Sequence, residues 1–433
     1  MGPELSGGIA IASLLILLGF GVPIVWAMSL VAAAGMWIGV GWTFVFTTFQ
    51  TLPMATVSSY SLVVIPMFLL MGGFCHRADI IAGLYSAAHR FTSRTRGNLL
   101  VATVLASAGF AAASGSSLAA SSVFTRIALP QMLKFGYSPG VAAGCIAAAG
   151  TLAAIIPPSI AMVIIASLTN QSAGTLLIAG IVPGLLTAGV YIVGIKLFLL
   201  RFPHWAPDAD ERFTWREKLL GLRSLWSVLL LGGFIMGGIY SGWFSPSAAG
   251  AVGAFGALLI GLAMRKLGVG AIRDCLVESA HSTIRLFAII VAGLLFSRYL
   301  VISGFIGAIN GAMKDLGVGP VELIAFMIVL YLVLGMFVDS LSLLVITLPT
   351  FYPIATTMGL DPVWFSIIAV KLVEIAAITP PVGLNLFAVM GATDQVKSTE
   401  LFRGVLPFVL LETVTLGLLL AFPGLTTWLP GNM

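Results

Sequence analysis

Two clusters of small polar residues in this chain have the oxygen atoms needed to bind a cation. They are Ser114-Gly115-Ser116-Ser117 and Asp339-Ser340-Leu341-Ser342, and each lies between two long apolar segments. Hydroxyl and carboxylate oxygens are the ligands that hard cations prefer. A carboxylate within apolar surroundings is costly unless a cation or hydrogen-bond donors meet it. We therefore predict that Asp339 binds a cation or lies close to one, the alternative being a structural acid with local hydrogen bonds.

A pair of consecutive prolines follows each cluster after about forty residues, inside another long apolar segment. The two motifs are Ile156-Pro157-Pro158-Ser159 and Thr379-Pro380-Pro381-Val382-Gly383. Proline has no backbone donor and clashes with the preceding turn, so a helix is predicted to break at each pair. Unpaired backbone groups inside a bilayer are tolerated only where protein buries them or a ligand binds them. A kink that serves packing alone is the alternative, but matched breaks beside matched clusters favour substrate and ion sites of a transporter.

Four further polar residues lie in the apolar segments of the second half. Asn385 could offer an amide oxygen and N–H to an ion or substrate, or serve packing alone. Lys371 and Glu374 are three positions apart, so they share a helix face and are predicted to pair. A role of this pair in substrate passage is the other interpretation. No role is predicted for Glu412.

The composition predicts which elements position these residues. The chain has 433 residues, of which 59% are hydrophobic and 9% charged. A soluble domain has roughly 25% charged residues, so a soluble globular protein is excluded. A membrane helix needs about 20 apolar residues, and the chain is predicted to be an all-α polytopic membrane protein. We assign its net charge of +5 to cytoplasmic loops and not to nucleic-acid binding.

Several enzyme classes lack their motifs in this sequence. There is no GxxxxGK[ST] loop to hold the phosphates of ATP. None of the four histidines belongs to an HExxH motif, and the three cysteines are too far apart for a metal site or a disulfide framework. We predict that the protein is not an enzyme and has no organic cofactor.

The polar clusters and the proline pairs recur at one offset of 223 positions. At this offset Pro130 corresponds to Pro353, Pro139 to Pro362, Pro157 to Pro380 and Pro158 to Pro381. By chance, a window of about 42 positions should contain only roughly 0.1 such proline coincidences. We therefore predict two repeats, residues 1–200 and 224–433. The connector at 201–223 has nine charges and is predicted to be cytoplasmic.

The distribution of basic residues predicts how the repeats are oriented. The segment after the third apolar run carries Arg77, Arg90, Arg94 and Arg96, whereas its counterpart at 302–319 carries only Lys314 and Asp315. Basic loops remain in the cytoplasm, so the two segments are predicted on opposite sides of the membrane and the repeats are inverted.

The same rule predicts the number of spans. If 97–134 and 320–354 are re-entrant hairpins, about ten spanning helices remain, the basic loops all become cytoplasmic and both termini lie outside. Broken helices are predicted at 140–168 and 363–392. Arg285 is predicted close to a helix end, where a long side chain can reach the membrane interface.

These motifs resemble the large membrane subunit of the tripartite ATP-independent periplasmic (TRAP) transporters. The resemblance covers nearly the whole chain and is most specific in four segments: SGSSLAASSVFTRIALPQM, GTLAAIIPPSI, GMFVDSLSLLVITLPTFYPIA and EIAAITPPVGLNLF. It implies Na⁺-coupled import of an organic acid, such as a C4-dicarboxylate or sialic acid, across the bacterial inner membrane. It further implies an elevator mechanism, in which the hairpins and broken helices form a mobile transport domain. The other helices would form a scaffold, joined by interfacial arms at 78–96 and 302–318.

The resemblance also implies partners and binding residues. The partners are a small four-helix membrane subunit, a periplasmic substrate-binding protein and membrane lipid. Na⁺ is implied as the only metal, with at least two ions bound. The first Na⁺ site would be formed by Ser114, Gly115, Ser116, Ser117, Ile155, Ile156 and Pro157. The second would be formed by Asp339, Ser340, Thr379, Pro380, Val382 and Gly383. The substrate carboxylate would be bound by Ser116, Thr379 and Asn385.

A second hypothesis has the same broad fold. It is a stand-alone Na⁺- or H⁺-coupled carboxylate carrier or exchanger, which acts on free substrate without a binding protein. A channel would require a continuous polar pore lining, whereas the polar interruptions in this sequence are localised.

Overall fold

The computed structural model describes residues 2–207, 213–335 and 338–432, and within these ranges the regular elements are all helical. The first half contains a series of helices that leads from one terminus to the connector. They are α1 (Pro3–Gly19), α2 (Ile24–Gly39), α3 (Trp42–Val57), α4 (Val64–Arg77), α5 (Ile80–Thr92), α6 (Asn98–Ser114), α7 (Ser117–Ile127), α8 (Leu129–Lys134), α9 (Pro139–Ile155), α10 (Ile160–Thr169), α11 (Ala173–Ala179) and α12 (Ile181–Arg201).

The second half begins after a short connector helix, α13 (Trp215–Leu222). Its helices are α14 (Trp226–Tyr240), α15 (Pro246–Ala263), α16 (Val269–Ile302), α17 (Phe305–Asp315), α18 (Pro320–Gly335), α19 (Ser340–Thr357), α20 (Pro362–Ile378), α21 (Leu384–Met390), α22 (Ser398–Ala421) and α23 (Gly424–Thr427). Short 3₁₀ turns occur at Tyr60–Val63, Pro203–Trp205, Arg223–Leu225 and Pro430–Asn432.

Many of these helices are long and apolar enough to cross a membrane. Among the described residues, six helices meet this condition, or up to eight if each of two sharply bent helix pairs is one span. One of the bent pairs consists of α9 and α10, which meet at 43°. A chain with this many apolar helices has too little polar surface to be soluble in water. The protein is therefore a multi-pass membrane protein.

The helix bounds recur along the chain at the offset seen in the sequence. The 17 residues of α9 and the 17 residues of α20 occupy positions that differ by 223, and α7 and α19 begin 223 positions apart. In one of the stretches that differ between the halves, the single 34-residue helix α16 replaces the pair α3 and α4. Pro66 near the start of α4 corresponds to Ile289, which does not interrupt a helix.

The continuity of α16 corrects one prediction from the sequence. Arg285 was expected near a helix end, but it lies in the middle of α16, about four turns from either end. Its side chain is exposed on the surface of the helix.

Helices α9 and α20 lie in the interior of the fold. All but two residues of α9 are buried, and α20 is buried continuously from Trp364 to Ile378. Such all-round apolar burial is typical of a helix with neighbours on every side. The neighbours of α9 include α6, α7, α12 and α22.

The contact between α9 and α22 is close enough to involve the backbones. A Cβ atom added to Gly404 would lie 2.0 Å from the carbonyl oxygen of Gly140, and one added to Gly144 would lie 2.5 Å from that of Gly404. Small residues permit such close contact between membrane helices. Because of this contact, α22 belongs to the same packed unit as the broken helix α9.

The connector includes a short helix with both capping interactions. Thr214 Oγ1 accepts from the backbone N–H of Glu217, and the backbone N–H of Thr214 donates to Glu217 Oε2 at 2.7 Å. This hydrogen bond holds the pKa of Glu217 below its usual value. Residues 208–212 of the predicted connector lie outside the described residues.

Candidate ion and substrate site

The first polar cluster forms the turn between α6 and α7. Gly115 follows the last residue of α6 and has φ +61°, a left-handed conformation that favours glycine. Ser116 then caps α7, because its Oγ accepts a hydrogen bond from the N–H of Ala119 at 3.4 Å. Ser114 Oγ accepts from the N–H of Ser116 at 3.5 Å. The tip thus holds several hydroxyl groups within one turn of backbone.

The first proline pair breaks the helix as the sequence predicts. Helix α9 ends at Ile155, the Pro157–Pro158 peptide bond is cis, and α10 begins at Ile160. Ser159 caps the new helix, accepting from the N–H of Met162 at 3.3 Å, and its hydroxyl donates to the carbonyl of Ala154. These two hydrogen bonds join the end of α9 to the start of α10 across the break.

The first tip and the first break are in contact. A Cβ atom added to Gly115 would lie only 2.6 Å from the carbonyl oxygen of Pro158 and 3.4 Å from the amide nitrogen of Ile160. Only glycine therefore fits at this position without displacing the backbone opposite. The structure thus brings Gly115 of the first tip against Pro158 and Ile160, at the start of the second part of the broken helix.

The second tip places its carboxylate at the start of a helix. Asp339 caps α19, since it accepts from the N–H of Ser342 at 3.0 Å and from the Ser342 hydroxyl. It occupies the position that Ser116 has in the first repeat, and it is half-buried. The local hydrogen bonds agree with the structural interpretation of Asp339, and the carboxylate oxygens retain further acceptor capacity for a cation. Residues 336–337 of this tip lie outside the described residues.

The second break lies beside the second hairpin. Helix α20 ends at Ile378, the Pro380–Pro381 bond is cis, and α21 begins at Leu384. The hydroxyl of Thr379 donates to the carbonyl of Ile375 at 2.6 Å, in the last turn of α20. The end of α18 packs against that turn, because a Cβ atom added to Gly335 would lie 2.3 Å from Cβ of Ala376.

Helices from the two halves of the chain are in contact near these segments. Helix α21, which follows the second break, packs on α7 and α9, while α10 packs on α19. Asn385 shows this crossing, since its Nδ2 donates to the carbonyl of Ala147 on α9 at 3.2 Å. Its Oδ1 is buried and has no hydrogen-bond partner among the described residues. Asn385 is therefore anchored to the first repeat, with one acceptor left for an ion or a donor group.

Two cavities in the described part of the chain lie away from these segments. One, of about 690 Å³, lies between α1, α2 and α16, and the other, of about 430 Å³, lies between α1, α16, α17 and the second hairpin. None of the predicted site residues lines either cavity.

A buried ion cluster includes a residue for which the sequence analysis predicted no role. Lys371 Nζ lies 3.0 Å from Glu374 Oε2, which confirms the predicted pairing. The same ammonium lies 2.6 Å from Glu412 Oε2 on α22. In the sequence, Glu412 is recognisable as an acid isolated within an apolar helix. Its partner Lys371 is 41 positions away, and only the fold shows that the two are paired.

Comparisons with known proteins agree with this architecture. The crystal structure of the YdaH transporter of Alcanivorax borkumensis superposes with a TM-score of 0.67 over 98% of this chain and all of that one, at 15% identity, which shows a shared fold. The chain is 36% identical to the C4-dicarboxylate TRAP transporter large permease protein DctM of Pseudomonas aeruginosa, over 87% of each chain. It is 28% identical to the sialic acid TRAP transporter large permease protein SiaM of Vibrio cholerae, over 92% of this chain and 95% of the relative.

The family itself follows from the match of residues 11–425, nearly the whole length. These relatives are named as transporter permeases. The chain belongs to the DctM component family of the tripartite ATP-independent periplasmic transporters.

Proposed function

We propose that this protein imports an organic acid across the inner membrane by Na⁺-coupled secondary transport. The observation that carries the proposal is the pair of matched polar tips and broken helices, with the first tip in contact with the first break at Gly115 and Pro158. Paired interrupted helices in the two halves of a membrane protein are typical of substrate and ion sites in secondary transporters. Membership of the DctM family supports the same assignment.

Two Na⁺ sites are assigned to the two tip-and-break pairs. The first uses oxygen atoms of Ser114–Ser117 together with the backbone of Ile155–Pro157. The second uses Asp339, Ser340 and the backbone from Thr379 to Gly383. Backbone carbonyls at the ends of broken helices can bind Na⁺ because no helical partner satisfies them. The substrate carboxylate would be bound between the halves by Ser116, Thr379 and Asn385, where α21 crosses onto the first repeat.

Transport would occur by movement of the site across the membrane. In this elevator mechanism the hairpins and broken helices move as one body against a scaffold that includes α1 to α4 and α14 to α16. The contact between Gly144 and Gly404 supports adding α22 to the moving body, and the buried ion cluster links α12 to it. Helices α5 and α17 would be the interfacial arms. The orientation assigned from basic residues gives inverted repeats, about ten spans and periplasmic termini.

The substrate class and the partners come from the family. Relatives are named for C4-dicarboxylate and sialic acid transport, so the substrate is a carboxylate of this kind. The name of the family describes a tripartite system. We assign the other two parts to a small membrane subunit that packs against the scaffold and a periplasmic protein that delivers the substrate.

Reconstitution in proteoliposomes tests the proposal. With the small subunit and the binding protein present, an inward Na⁺ gradient should drive accumulation of the carboxylate that the binding protein carries. Omission of either component should abolish uptake. Uptake that needs no Na⁺ gradient would contradict the coupling, and uptake of free substrate by the chain alone would instead establish a stand-alone carrier.

A further inference from the structure

The ion cluster of Lys371, Glu374 and Glu412 is fully enclosed by protein. The three residues are 0%, 2% and 0% exposed. They come from two helices, α20 and α22, and α9 and α12 complete the enclosure through Thr151, Thr187 and Tyr191. The cluster is thus removed from both water and lipid, and its charges must be balanced by the groups within it.

The charges of these groups do not balance. Among the described residues, two carboxylates face a single ammonium, and the only other titratable group in contact is the hydroxyl of Tyr191 on α12, which donates to Glu412 Oε1. From α9 the cluster receives only the neutral hydroxyl of Thr151. Full ionisation would leave one net negative charge in a region closed to bulk solvent. An uncompensated buried charge strongly destabilises a protein, so the cluster requires one more positive charge.

The hydrogen bonds distinguish the two carboxyl groups. Glu412 Oε1 accepts from the Tyr191 hydroxyl and from Thr151 Oγ1 at 3.2 Å, and its Oε2 lies 2.6 Å from Lys371 Nζ as an ion pair without hydrogen-bond geometry. Glu374 has only the ammonium of Lys371 at 3.0 Å on Oε2, and its Oε1 is buried without a partner among the described residues. The ammonium itself also donates to Thr187 Oγ1 at 3.0 Å. Because an anion needs donors more than a neutral acid does, the extra proton belongs on Glu374.

We propose that Glu374, Lys371 and Glu412 form a proton-binding site that holds one proton on Glu374 at neutral pH. The cluster then consists of a neutral carboxylic acid beside a Lys371–Glu412 ion pair. The site is separate from the proposed Na⁺ and substrate sites, since none of its residues belongs to them. The inference does not depend on the substrate or on the coupling ion.

Infrared spectroscopy of the purified protein tests this proposal directly. A protonated carboxyl group has a C=O stretch that is absent from a carboxylate, and ¹³C labelling of glutamate shifts the band of a glutamic acid. The wild-type protein at neutral pH should show one such labelled band, and Glu374→Gln should remove it. Lys371→Met should roughly double it, because both carboxylates then lack a cation. Glu322→Gln is the matched control, since Glu322 is exposed and its carboxylate accepts from the N–H of Gly319.

Three results would overturn the assignment. The first is the absence of a labelled acid band in wild-type protein at neutral pH, a measurement that needs no variant to fold. The second is a band that remains in folded Glu374→Gln. The third is a band that appears only after Na⁺ is removed, which would mean that a metal ion supplies the positive charge.

Discussion

The substitution Gly115→Ala tests whether contact between the first tip and the first break forms the ion site. The new Cβ would lie 2.6 Å from the carbonyl oxygen of Pro158, whereas ordinary contact begins at 3.4 Å. The tip and the break must therefore separate by ~0.8 Å, since neither backbone is a flexible side chain. Binding groups need positions accurate to about 0.5 Å, and an error near 1 Å reduces the rate of a reaction at a site by up to about 10²-fold.

A matched control separates this displacement from backbone strain. Gly136 has φ +79°, similar to Gly115, but a Cβ atom added there would meet nothing within 4 Å. Both alanine variants carry the cost of a left-handed conformation, about 1–2 kcal/mol. Only Gly115→Ala also displaces the first break, so the difference between the variants measures the contact alone.

The assay is Na⁺-dependent uptake by proteoliposomes that contain the complete transport system. We expect Gly115→Ala to raise the Na⁺ concentration for half-maximal uptake at least tenfold, which corresponds to ~1.4 kcal/mol of binding free energy. Gly136→Ala should remain within about twofold of wild type. Equal Na⁺ dependence in the two variants would refute the reasoning, because the contact would then have no part in ion binding.

Three further predictions follow from particular contacts. Asp339→Asn should raise the Na⁺ requirement for uptake by roughly tenfold, or ~1.4 kcal/mol. The control is Asp361→Asn, since Asp361 caps α20 by accepting from the N–H of Trp364 at 2.8 Å, and it should not change the requirement. An equal response of the two variants would remove Asp339 from the ion site. Gly404→Ala should destabilise the protein by about 1–3 kcal/mol in thermal unfolding. Gly417→Ala, on an open face of the same helix, should be neutral or stabilising. Equal unfolding temperatures of the two variants would contradict the backbone contact at Gly404. Ser159→Ala should lower the free energy of unfolding by about 1–2 kcal/mol, because it removes the cap of α10, and unchanged stability would show that the cap is dispensable.

Local sequence was enough to predict the interruptions of the helices. A proline pair removes two backbone donors wherever it occurs, so the ends of α9 and α20 could be placed from Pro157 and Pro380 without knowledge of the fold. The small polar clusters likewise mark the turns at Gly115 and Asp339. The prediction for Arg285 was wrong because the length of α16 depends on the absence of a local break, which a charged residue does not reveal.

Contacts between distant segments could not be predicted from the sequence. The sequence predicts the pairing of Lys371 with Glu374 because helix periodicity is a local property. The third member, Glu412, reaches Lys371 only through the packing of α22 on α20. Similarly, Asn385 was recognised as a candidate, but its attachment to Ala147 in the other repeat required the structure.

The sequence by itself determined that this is a helical membrane protein, and it predicted a polar tip and a broken helix in each half of the chain. Those properties depend on composition and on the local conformational limits of proline and glycine. The tertiary structure alone decided that the first tip touches the first break, that α21 crosses onto the first repeat and that two buried carboxylates share one lysine. These contacts join residues far apart in the chain, and their existence depends on how whole helices pack.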